Sequence, residues 1–412
     1  MTRRILIVED TPTIARVQKH IAISAGYEAD LATSLAETKA FLANNTYFCA
    51  IVDFILPDAP NGEAIHFTVN SDIPTIVMTG NLDNQTKETV EKYPIIDYVT
   101  KENKQAYQYL KKQLIRLPRN EFVKVLVVDD SKQTRNYVSS LLARHKYKVL
   151  EASDGLEALE VLKENPDISV IITDNEMPNM NGEDLCSEIR LQYSNDEKAI
   201  IGISSSNALH LSARFIKRGA NDYLRKPFNA EEFYCRLSQN VDMLEYIATI
   251  KRQANSDYLT GLPNRRYFFE FTNKSLMRKA AREAKAGLAM IDVDHFKSIN
   301  DNYGHDAGDD VLKALAQAFG AHFVGQLTAR LGGEEFAIYF ENDTPEESLK
   351  LLEKFRRYLD EHSAGLTEHN IHFTVSIGFC FTCSSNVDSL IKEADIKLYD
   401  AKQSGRNKIV CR

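Results

Sequence analysis

Acidic, hydroxyl and ammonium side chains occur twice along the chain in the same order, and each follows a short apolar segment. The first set comprises Glu9, Asp10, Asp53, Thr79 and Lys101, and the second comprises Asp129, Asp130, Asp174, Ser204 and Lys226. Three carboxylates in one crevice repel one another unless a cation neutralises them, and oxygen-only ligands suit Mg²⁺. A hydroxyl and an ammonium opposite them fit an incoming phosphoryl group. Each set therefore predicts a magnesium-dependent phosphoryl site.

An internal repeat supplies the elements that must position these side chains. The opening segment RRILIVEDTPTIARVQKHIAISAGYEADLATS returns as VKVLVVDDSKQTRNYVSSLLARHKYKVLEASD from Val123, and shorter matches follow in the same order. In each copy five apolar strands alternate with helical patterns, which predicts a doubly wound parallel sheet with helices on both faces. Sites in such sheets lie at the carboxyl ends of the strands, which is where both polar sets occur.

Length and composition limit the classes of protein that fit. At 412 residues the chain is expected to form two to four domains. Aspartate plus glutamate exceed lysine plus arginine by 58 to 50, and the net charge of -8 argues against nucleic-acid binding. No apolar run reaches the roughly 18 residues of a membrane helix, and the N-terminus lacks the apolar core of a signal peptide. We expect a cytoplasmic protein with neither membrane insertion nor a nucleic-acid partner.

Both copies resemble response-regulator receiver domains, which we place at residues 1–118 and 122–240. The resemblance implies phosphorylation by a sensor histidine kinase or a phosphotransfer protein, with one Mg²⁺ per receiver site. The implied roles are phosphoacceptor and metal ligand for Asp53 and Asp174, metal ligand for Asp10 and Asp130, acyl-phosphate partner for Lys101 and Lys226, and switch residue for Thr79, Tyr98, Ser204 and Tyr223.

The alternative for either copy is an adaptor receiver that keeps the fold without accepting phosphate. The second copy follows the family pattern closely in DNEMPNMNG and RKPF. The first departs from it, because one extra residue separates Asp53 from Gly62 and because Glu102 stands where the family usually has proline. All five polar positions are nevertheless present, and we expect Asp53 to be phosphorylated.

A helical connector follows the second copy. No glycine or proline occurs from Ala230 until Gly261, and six apolar residues recur three or four positions apart, at Leu237, Val241, Leu244, Ile247, Ile250 and Ala254. This spacing places them on one stripe of a helix, which predicts that the last receiver helix continues as a stalk over residues 241–256. The stripe could form a two-chain coiled coil or pack against its own receiver. Gly261 and Pro263 end the helix.

The remaining residues have a mixed pattern. LAMIDVD and IHFTVSIGFCF are typical of strands, TARLGGEEFAIYF of a hairpin, and VLKALAQAFGAHF, SLKLLEKFRRYLDEH and DSLIKEADIKLYDAKQSG of helices. A β-α-β-β-α-β order of this kind predicts an α+β ferredoxin-like, palm-type domain. In the hairpin, RLGGEEF sets two glycines against two carboxylates, so a tight turn carries two negative charges.

IDVDHFKSINDNYGHDAGDD and RLGGEEF together resemble the GGDEF family of diguanylate cyclases, and the resemblance covers residues 257–412. It implies that two GTP are condensed to cyclic di-GMP and two pyrophosphates across an antiparallel homodimer, with two Mg²⁺ per GTP site. The implied roles are metal ligation by Asp292, the Val293 carbonyl, Glu334 and Glu335, catalysis by Glu334, Glu335 and Lys297, and substrate binding by Phe296, Asn300, His305, Asp309, Lys402 and Arg406. Asp294 is expected to be the N-cap of the following helix.

The base is predicted from hydrogen-bonding capacity. An aspartate only accepts hydrogen bonds, so Asp309 suits the paired N1–H and N2–H donors of guanine, which adenine lacks. Asn300 would bond another edge of the same base. Guanine is therefore the expected base.

Three other functions are considered. A GGDEF domain that binds GTP or cyclic di-GMP without turnover usually lacks one of the carboxylates or base-reading residues that this chain retains. A cyclase with another product is disfavoured by Asp309 and Asn300, and a DNA-binding regulator is disfavoured because no helix-turn-helix or basic face follows the receivers.

Product inhibition is predicted to be weak. Many family members carry Arg-x-x-Asp shortly upstream of the Gly-Gly pair, as an inhibitory site for their own product. Here the corresponding residues are Phe323, Val324, Gly325 and Gln326, with neither the arginine nor the aspartate. We therefore expect little product inhibition through that site.

Overall fold

The computed structural model describes residues 3–80, 84–90, 92–205, 211–280, 285–384 and 386–411. The chain divides into two compact units, Met1–Ile247 and Ala248–Arg412. The first unit contains two five-stranded sheets and the second contains one. None of the helices in the described ranges combines the length and the apolar character that crossing a membrane requires.

The first sheet is parallel throughout, in the order β2-β1-β3-β4-β5. Its strands are β1 (Arg3–Val8), β2 (Tyr27–Ala32), β3 (Cys49–Asp53), β4 (Thr75–Thr79) and β5 (Asp97–Thr100). The accompanying helices are α1 (Pro12–Ser24), α2 (Leu35–Asn44), α3 (Glu63–Asn70), α4 (Asn84–Val90) and α5 (Lys104–Asn120). Strands β3 and β4 are buried along their whole length, because helices cover both faces of the sheet.

The second sheet repeats this topology, in the order β10-β9-β8-β6-β7. Its strands are β6 (Lys124–Val128), β7 (Lys148–Ala152), β8 (Ile168–Asp174), β9 (Ala199–Ser204) and β10 (Asp222–Arg225). The helices are α6 (Lys132–Arg144), α7 (Gly155–Glu164), α8 (Gly182–Gln192), α9 (Leu211–Lys217) and α10 (Ala230–Asn255). The doubly wound fold predicted for both copies is confirmed.

Helix α10 continues well beyond the second sheet, and the apolar stripe predicted on it has two environments. Leu237 and Val241 are buried in the core of the second receiver, and Leu244 packs against that core. Ile250 is 63% exposed, and Ala254 is also exposed. The first half of the stripe therefore packs against its own receiver.

Within the first unit, the two receivers meet through α5, α6 and α10. Asp242 of α10 forms ion pairs with Lys112 at 2.6 Å and with Arg116 at 2.9 Å, both from α5. His145, which follows α6, is buried; its Nε2 lies 3.0 Å from the Ile96 carbonyl oxygen, and its ring centroid lies 3.7 Å from that of Tyr234.

Acid is expected to destabilise this contact through His145. The pKa of His145 is lowered to about 3, mainly by burial and also by the charges of Arg116 and Arg144, while the bond to Ile96 opposes the shift. The unfolded chain has an ordinary histidine with a pKa near 6.5, so below that pH it binds a proton that the folded state does not. Stability is therefore lost as the pH falls, and the free energy of unfolding should decrease by about 2 kcal/mol between pH 7 and pH 5 from this group.

The effect is measured as the free energy of unfolding in denaturant at pH 7 and at pH 5, followed by a signal from the first unit. His145→Gln keeps an N–H donor but does not titrate. The loss of stability between pH 7 and pH 5 should therefore be smaller in this variant than in the wild type, by about 2 kcal/mol. His20→Gln, at an exposed histidine on α1, is the matched control and should behave like the wild type. Equal losses in the wild type and His145→Gln would contradict the prediction.

The second unit is a mixed sheet in the order β12-β13-β11-β14-β15, antiparallel except for the β14–β15 pair. Its strands are β11 (Ala286–Val293), β12 (Leu327–Gly332), β13 (Glu335–Phe340), β14 (Val375–Thr382) and β15 (Ile409–Val410). The helices are α11 (Arg265–Ala280), α12 (Phe296–Tyr303), α13 (His305–His322), α14 (Pro345–His362) and α15 (Val387–Gln403), with a 3-10 turn at Ser363–Leu366. The predicted α+β order is confirmed.

Strand β14 begins later than the sequence pattern indicates. The pattern starts at Ile371, but the backbone N–H of Ile371 donates to the Thr367 hydroxyl at 2.7 Å and that of Phe373 to the Ser363 hydroxyl at 3.0 Å. These side-chain bonds replace strand pairing, so regular pairing starts at Val375. Neither α11 nor β15 was predicted.

Candidate active and phosphoacceptor sites

The first receiver brings its predicted residues together at the carboxyl ends of β1, β3 and β5. Lys101 Nζ lies 2.6 Å from Glu9 Oε2 and 2.6 Å from Asp53 Oδ2. Glu9, Asp10 and Asp53 each offer a carboxylate oxygen within 4.8 Å of the others. Burial raises the pKa of Glu9, and the charge of Asp53 adds to the rise while Lys101 opposes it. Such a set of oxygens fits a divalent cation.

The second receiver has the same arrangement. Lys226 Nζ lies 2.7 Å from Asp129 Oδ2 and 2.7 Å from Asp174 Oδ1. Burial raises the pKa of Asp174, while the bond to Lys226 lowers it. Asp130 is exposed beside Asp129, and the Glu176 N–H donates to Asp174 at 3.0 Å. Asp174, the predicted phosphoacceptor, is thus held by a lysine and a backbone amide.

The two predicted switch tyrosines have different partners. Burial raises the pKa of Tyr223, whose hydroxyl is hydrogen-bonded to Ser204. The hydroxyl of Tyr98 donates to Glu231 Oε2 at 3.0 Å, and Lys87 Nζ lies 3.8 Å from the same carboxylate. Because Glu231 is in the first turn of α10, the switch residue of the first receiver contacts the helix that leads out of the second.

The β12–β13 hairpin of the second unit carries the Gly-Gly-Glu-Glu turn. Gly333 has a φ of +52°, which is left-handed, and the register shifts between Arg330 and Gly332. Arg330 Nε and Nη2 donate to the Gly333 carbonyl oxygen at 2.9 and 2.8 Å. The turn places Glu334 at the tip of the hairpin and Glu335 at the start of β13.

Asp292 lies at the end of β11 directly opposite Glu335 in the antiparallel register. Its side chain is buried, and Lys402 Nζ lies 2.7 Å from Oδ2. The pKa of Asp292 is raised to about 6, mainly by burial and also by the carboxylates of Glu334 and Glu335, while Lys402 opposes the rise. Clustered carboxylates with one buried member fit a divalent cation, since such an ion would relieve their repulsion.

The predicted base-reading residues lie where α12 packs against α13. A Cβ at Gly308 would collide with the Asn300 side-chain oxygen, so glycine is required for Asn300 to lie against this part of α13. Asp309 follows immediately and is half-buried, and Phe296 also lies beside Gly308. The Asn300 amide therefore lies against α13 at Gly308, and Asp309 is the next residue of that helix.

The other predicted substrate and catalytic residues lie on α12, on α13 and at the end of α15. Lys297 in the first turn of α12, His305 at the start of α13 and Arg406 in the turn after α15 are exposed. Lys402, in the last turn of α15, is the one in direct contact with Asp292.

The expectation that Asp294 caps α12 is wrong. The N-cap is His295, in a left-handed conformation, and no side chain caps the helix. The Asp294 carboxylate instead accepts hydrogen bonds from the hydroxyls of Thr374 at 2.7 Å and Ser376 at 2.6 Å. Two hydroxyls on the neighbouring strand segment therefore compete successfully with the helix terminus.

Sequence reasoning also missed an ion pair that fixes the hairpin. Arg330 Nη1 lies 2.9 Å from Asp257 Oδ1, and the Arg330 N–H donates to the Pro263 carbonyl oxygen at 3.0 Å. Burial raises the pKa of Asp257, but bonds from Thr260 and Arg330 outweigh it and lower the pKa overall. The signal in the sequence was an arginine directly ahead of the turn.

Phe323, Val324, Gly325 and Gln326, which occupy the positions of the inhibitory motif, form the turn between α13 and β12. Phe323 is buried against Phe319 and Phe355, while Gln326 donates to Asp343 at 3.2 Å. Weak product inhibition through this site stays a prediction. Adding cyclic di-GMP to a turnover assay tests it, and submicromolar inhibition would contradict it.

Two parallel sheets with lysine-paired acidic crevices, followed by a mixed sheet with an acidic hairpin, define a protein with two receiver-like domains and a C-terminal domain that carries a separate acidic site. Comparison with family models agrees with this class. The response regulator receiver domain model matches residues 5–111 and 125–238, and the model described as diguanylate cyclase, GGDEF domain, matches residues 254–408. The chain belongs to the response regulators, with two receiver domains and a C-terminal GGDEF domain.

Two relatives extend the comparison. Response regulator PleD of Caulobacter vibrioides is 26% identical over 299 residues, which cover 70% of this chain and 65% of PleD. A solved structure described as a two-component system response regulator/GGDEF domain protein is 38% identical, with a TM-score of 0.53. It covers 59% of this chain and 99% of its own. The matched segment thus spans less than two thirds of PleD's length.

Proposed function

We propose that the protein is a phosphorylation-regulated diguanylate cyclase, which condenses two GTP into cyclic di-GMP and two pyrophosphates. The observation that carries the proposal is the buried carboxylate of Asp292, which lies opposite Glu335 and is paired with Lys402. Carboxylates for a cation, with a lysine beside them, are the combination that phosphoryl chemistry on a nucleoside triphosphate requires.

The roles of the chain's residues follow from their chemistry. Asp292, the Val293 carbonyl, Glu334 and Glu335 would hold Mg²⁺, two ions per GTP, and each receiver site would hold one. When bound, Mg²⁺ stabilises charge on the phosphates and favours the 3′-alkoxide. The cationic side chains of Lys402 and Arg406 bind the terminal phosphates, and Lys297 neutralises charge that develops at the α-phosphate. The exposed N-terminus of α12 offers backbone N–H groups to phosphate oxygens.

The reaction requires two copies of the domain. The 3′-hydroxyl oxygen of each GTP forms a bond to the α-phosphorus of the other, the bond from that phosphorus to the pyrophosphate oxygen breaks, and the hydroxyl proton leaves to solvent. One site holds one GTP, so two GGDEF domains must face each other in an antiparallel homodimer. Bringing the two sites together supplies the proximity on which the rate depends.

The receivers would control this encounter. Transfer of a phosphoryl group to Asp53 or Asp174, from a sensor histidine kinase or a phosphotransfer protein, would shift the dimer equilibrium. A protein that uses GTP and such donors works in the cytoplasm. With no Arg-x-x-Asp motif upstream of the hairpin, control would depend on the receivers and on dimerisation.

The test is pyrophosphate release from GTP with Mg²⁺, over a range of protein concentrations, with and without beryllofluoride as a phosphoryl mimic. We expect specific activity to rise with protein concentration and with the mimic, and Asp53→Ala and Asp174→Ala to show which receiver responds. Mass spectrometry after incubation with mixed GTP and ATP identifies the product. Binding of GTP without turnover under every condition would instead indicate a catalytically silent signalling module.

Loss of the Tyr98 hydroxyl is expected to alter regulation and leave the catalytic site intact. Tyr98→Phe removes the bond to Glu231, and with it one link between the first receiver and α10. Basal turnover should change by about twofold or more, because a charge-assisted hydrogen bond contributes about 1.5 kcal/mol and water offsets part of the loss of this exposed one. Pyrophosphate release is measured with and without the phosphoryl mimic, over the same range of protein concentrations. Tyr223→Phe, at the equivalent position of the second receiver, is the matched comparison, and an identical effect of both changes would argue against a specific role for Tyr98.

A further inference from the structure

The turn that carries Arg406 has a strained backbone. Gly405, Arg406 and Asn407 have φ values of +111°, +60° and +45°, so two consecutive residues with side chains are left-handed. Each such residue costs about 1 kcal/mol or more. The conformation persists only where surrounding groups hold it. The residues that do so therefore determine where the Arg406 side chain points.

Asp294 holds this turn through a hydrogen bond to its backbone. Its Oδ2 accepts a hydrogen bond from the Asn407 backbone N–H at 3.0 Å, and the same oxygen accepts one from Thr374 Oγ1. The other oxygen accepts from Ser376 Oγ. The carboxylate is only 4% exposed, so these three donors, and not water, satisfy it.

Arg356 of α14 holds the same residue from the other side. Its Nη1 donates to Asn407 Oδ1 at 2.9 Å and to the Asn407 carbonyl oxygen at 3.3 Å. Glu353 accepts from Arg356 Nη2 at 2.8 Å, and this bond is the main reason that the pKa of Glu353 is lowered to about 2. Asn407 is thus fixed by an acid on one side and a base on the other.

Asp294 lies two positions beyond Asp292, on the same chain segment. Asp292 contacts Lys402 directly, and Asp294 bonds the residue after Arg406. Two carboxylates near the end of β11 are therefore linked to the two cationic residues that would face the terminal phosphates. One contacts Lys402, and the other bonds the neighbour of Arg406. The side chain of Lys402 contacts Asp292 directly, whereas Asp294 bonds the backbone of the residue that follows Arg406.

We infer that Asp294 is a positioning residue for GTP, which acts through Arg406 by holding the left-handed turn at Asn407. This inference rests on the proposed function. Aspartate suits this position because it accepts with both oxygens, and the Asn407 backbone N–H that it holds can only donate. Asparagine has the same shape but is uncharged, so its bond to the Asn407 N–H is no longer charge-assisted and the turn is held less firmly. Its NH₂ group can bond only a hydroxyl of Thr374 or Ser376 that turns to accept.

Binding of a guanine nucleotide that does not react tests the inference without turnover. The probe is guanosine 5′-(α,β-methylene)triphosphate with Mg²⁺, measured by calorimetry on the full chain. Asp294→Asn is expected to weaken binding about tenfold, because misplacement of Arg406 loses a charge-assisted bond of about 1.5 kcal/mol. In an Arg406→Ala background the same change should weaken binding less than twofold, since the contact is already absent.

Lys402→Ala provides the matched background. Lys402 is held by Asp292, so Asp294→Asn should still weaken binding about tenfold there. Equal losses in both backgrounds would overturn the inference, because a general structural defect adds to every variant alike. Arg356→Met replaces Asp294→Asn if the latter lowers the melting temperature too far for binding to be measured. It frees Asn407 from the opposite side and should weaken binding in the Lys402→Ala background but not in the Arg406→Ala background. Equal losses in the two backgrounds would overturn the inference here too. Wild-type protein that binds no guanine nucleotide would contradict the proposed function as well.

Discussion

Replacing Asp292 by asparagine is expected to lower the rate of cyclic di-GMP formation by about a thousandfold, which corresponds to about 4 kcal/mol of transition-state stabilisation. The change preserves the shape of a side chain that is 5% exposed, so packing is kept. It removes the charge at the centre of the carboxylate cluster, opposite Glu335 in the sheet. Pyrophosphate release at saturating GTP and Mg²⁺ measures the rate.

The same change should raise thermal stability when no Mg²⁺ is added. Burial and two neighbouring carboxylates raise the pKa of Asp292 to about 6, so at pH 7 the group is ionised in a site that disfavours the charge. A neutral amide relieves that repulsion. Mg²⁺ should then increase the melting temperature of the wild type and leave that of Asp292→Asn nearly unchanged.

Controls separate loss of function from loss of fold. Glu361→Gln removes an exposed acid on α14 and should leave both activity and the Mg²⁺ response intact. An inactive Asp292→Asn with a lower melting temperature would point to a folding defect and count against the metal-binding role. An active Asp292→Asn would remove the main support for the proposed site.

The sequence predicted the architecture well because each signal was local or repeated. Two copies of one strand-helix pattern predict two doubly wound sheets, and their polar residues lie at strand ends because the topology places them there. The same rule predicted that Lys101, Glu9 and Asp53 would share one crevice, and there the lysine contacts both acids. In the GGDEF domain, adjacent glycines before two glutamates were sufficient to predict the hairpin turn.

The sequence did not predict contacts between segments that are far apart in the chain. Asp294 precedes a helix, and local preference favours an N-cap. Its actual partners, Thr374, Ser376 and Asn407, follow it by 80 or more positions, so no pattern near Asp294 indicates them. Likewise, the split environment of the α10 stripe depends on where the receiver core ends, which periodicity does not report.

Asp309 is expected to determine the choice of base. Asp309→Asn replaces one acceptor oxygen by an NH₂ group, so one of the two guanine donors loses its bond and meets another donor. Loss of one such bond and the resulting unpaired donors together cost about 3 kcal/mol, so kcat/KM for GTP should fall by about a hundredfold. Asp309 is half-buried on α13, so water compensates only in part for a lost bond.

Inosine triphosphate distinguishes a role in reading the base from a role in folding, because it keeps N1–H but lacks the N2 amino group. The wild type should prefer GTP by about tenfold, the contribution of one bond to a charged acceptor, and Asp309→Asn should lose most of this preference. Gly308→Ala, whose Cβ would displace the Asn300 oxygen, should weaken both nucleotides equally and keep the preference. An unchanged ratio of kcat/KM values in Asp309→Asn would mean that another residue selects guanine. The ratio, unlike the rate, is insensitive to the fraction of folded or dimeric enzyme, since both substrates are measured on the same preparation.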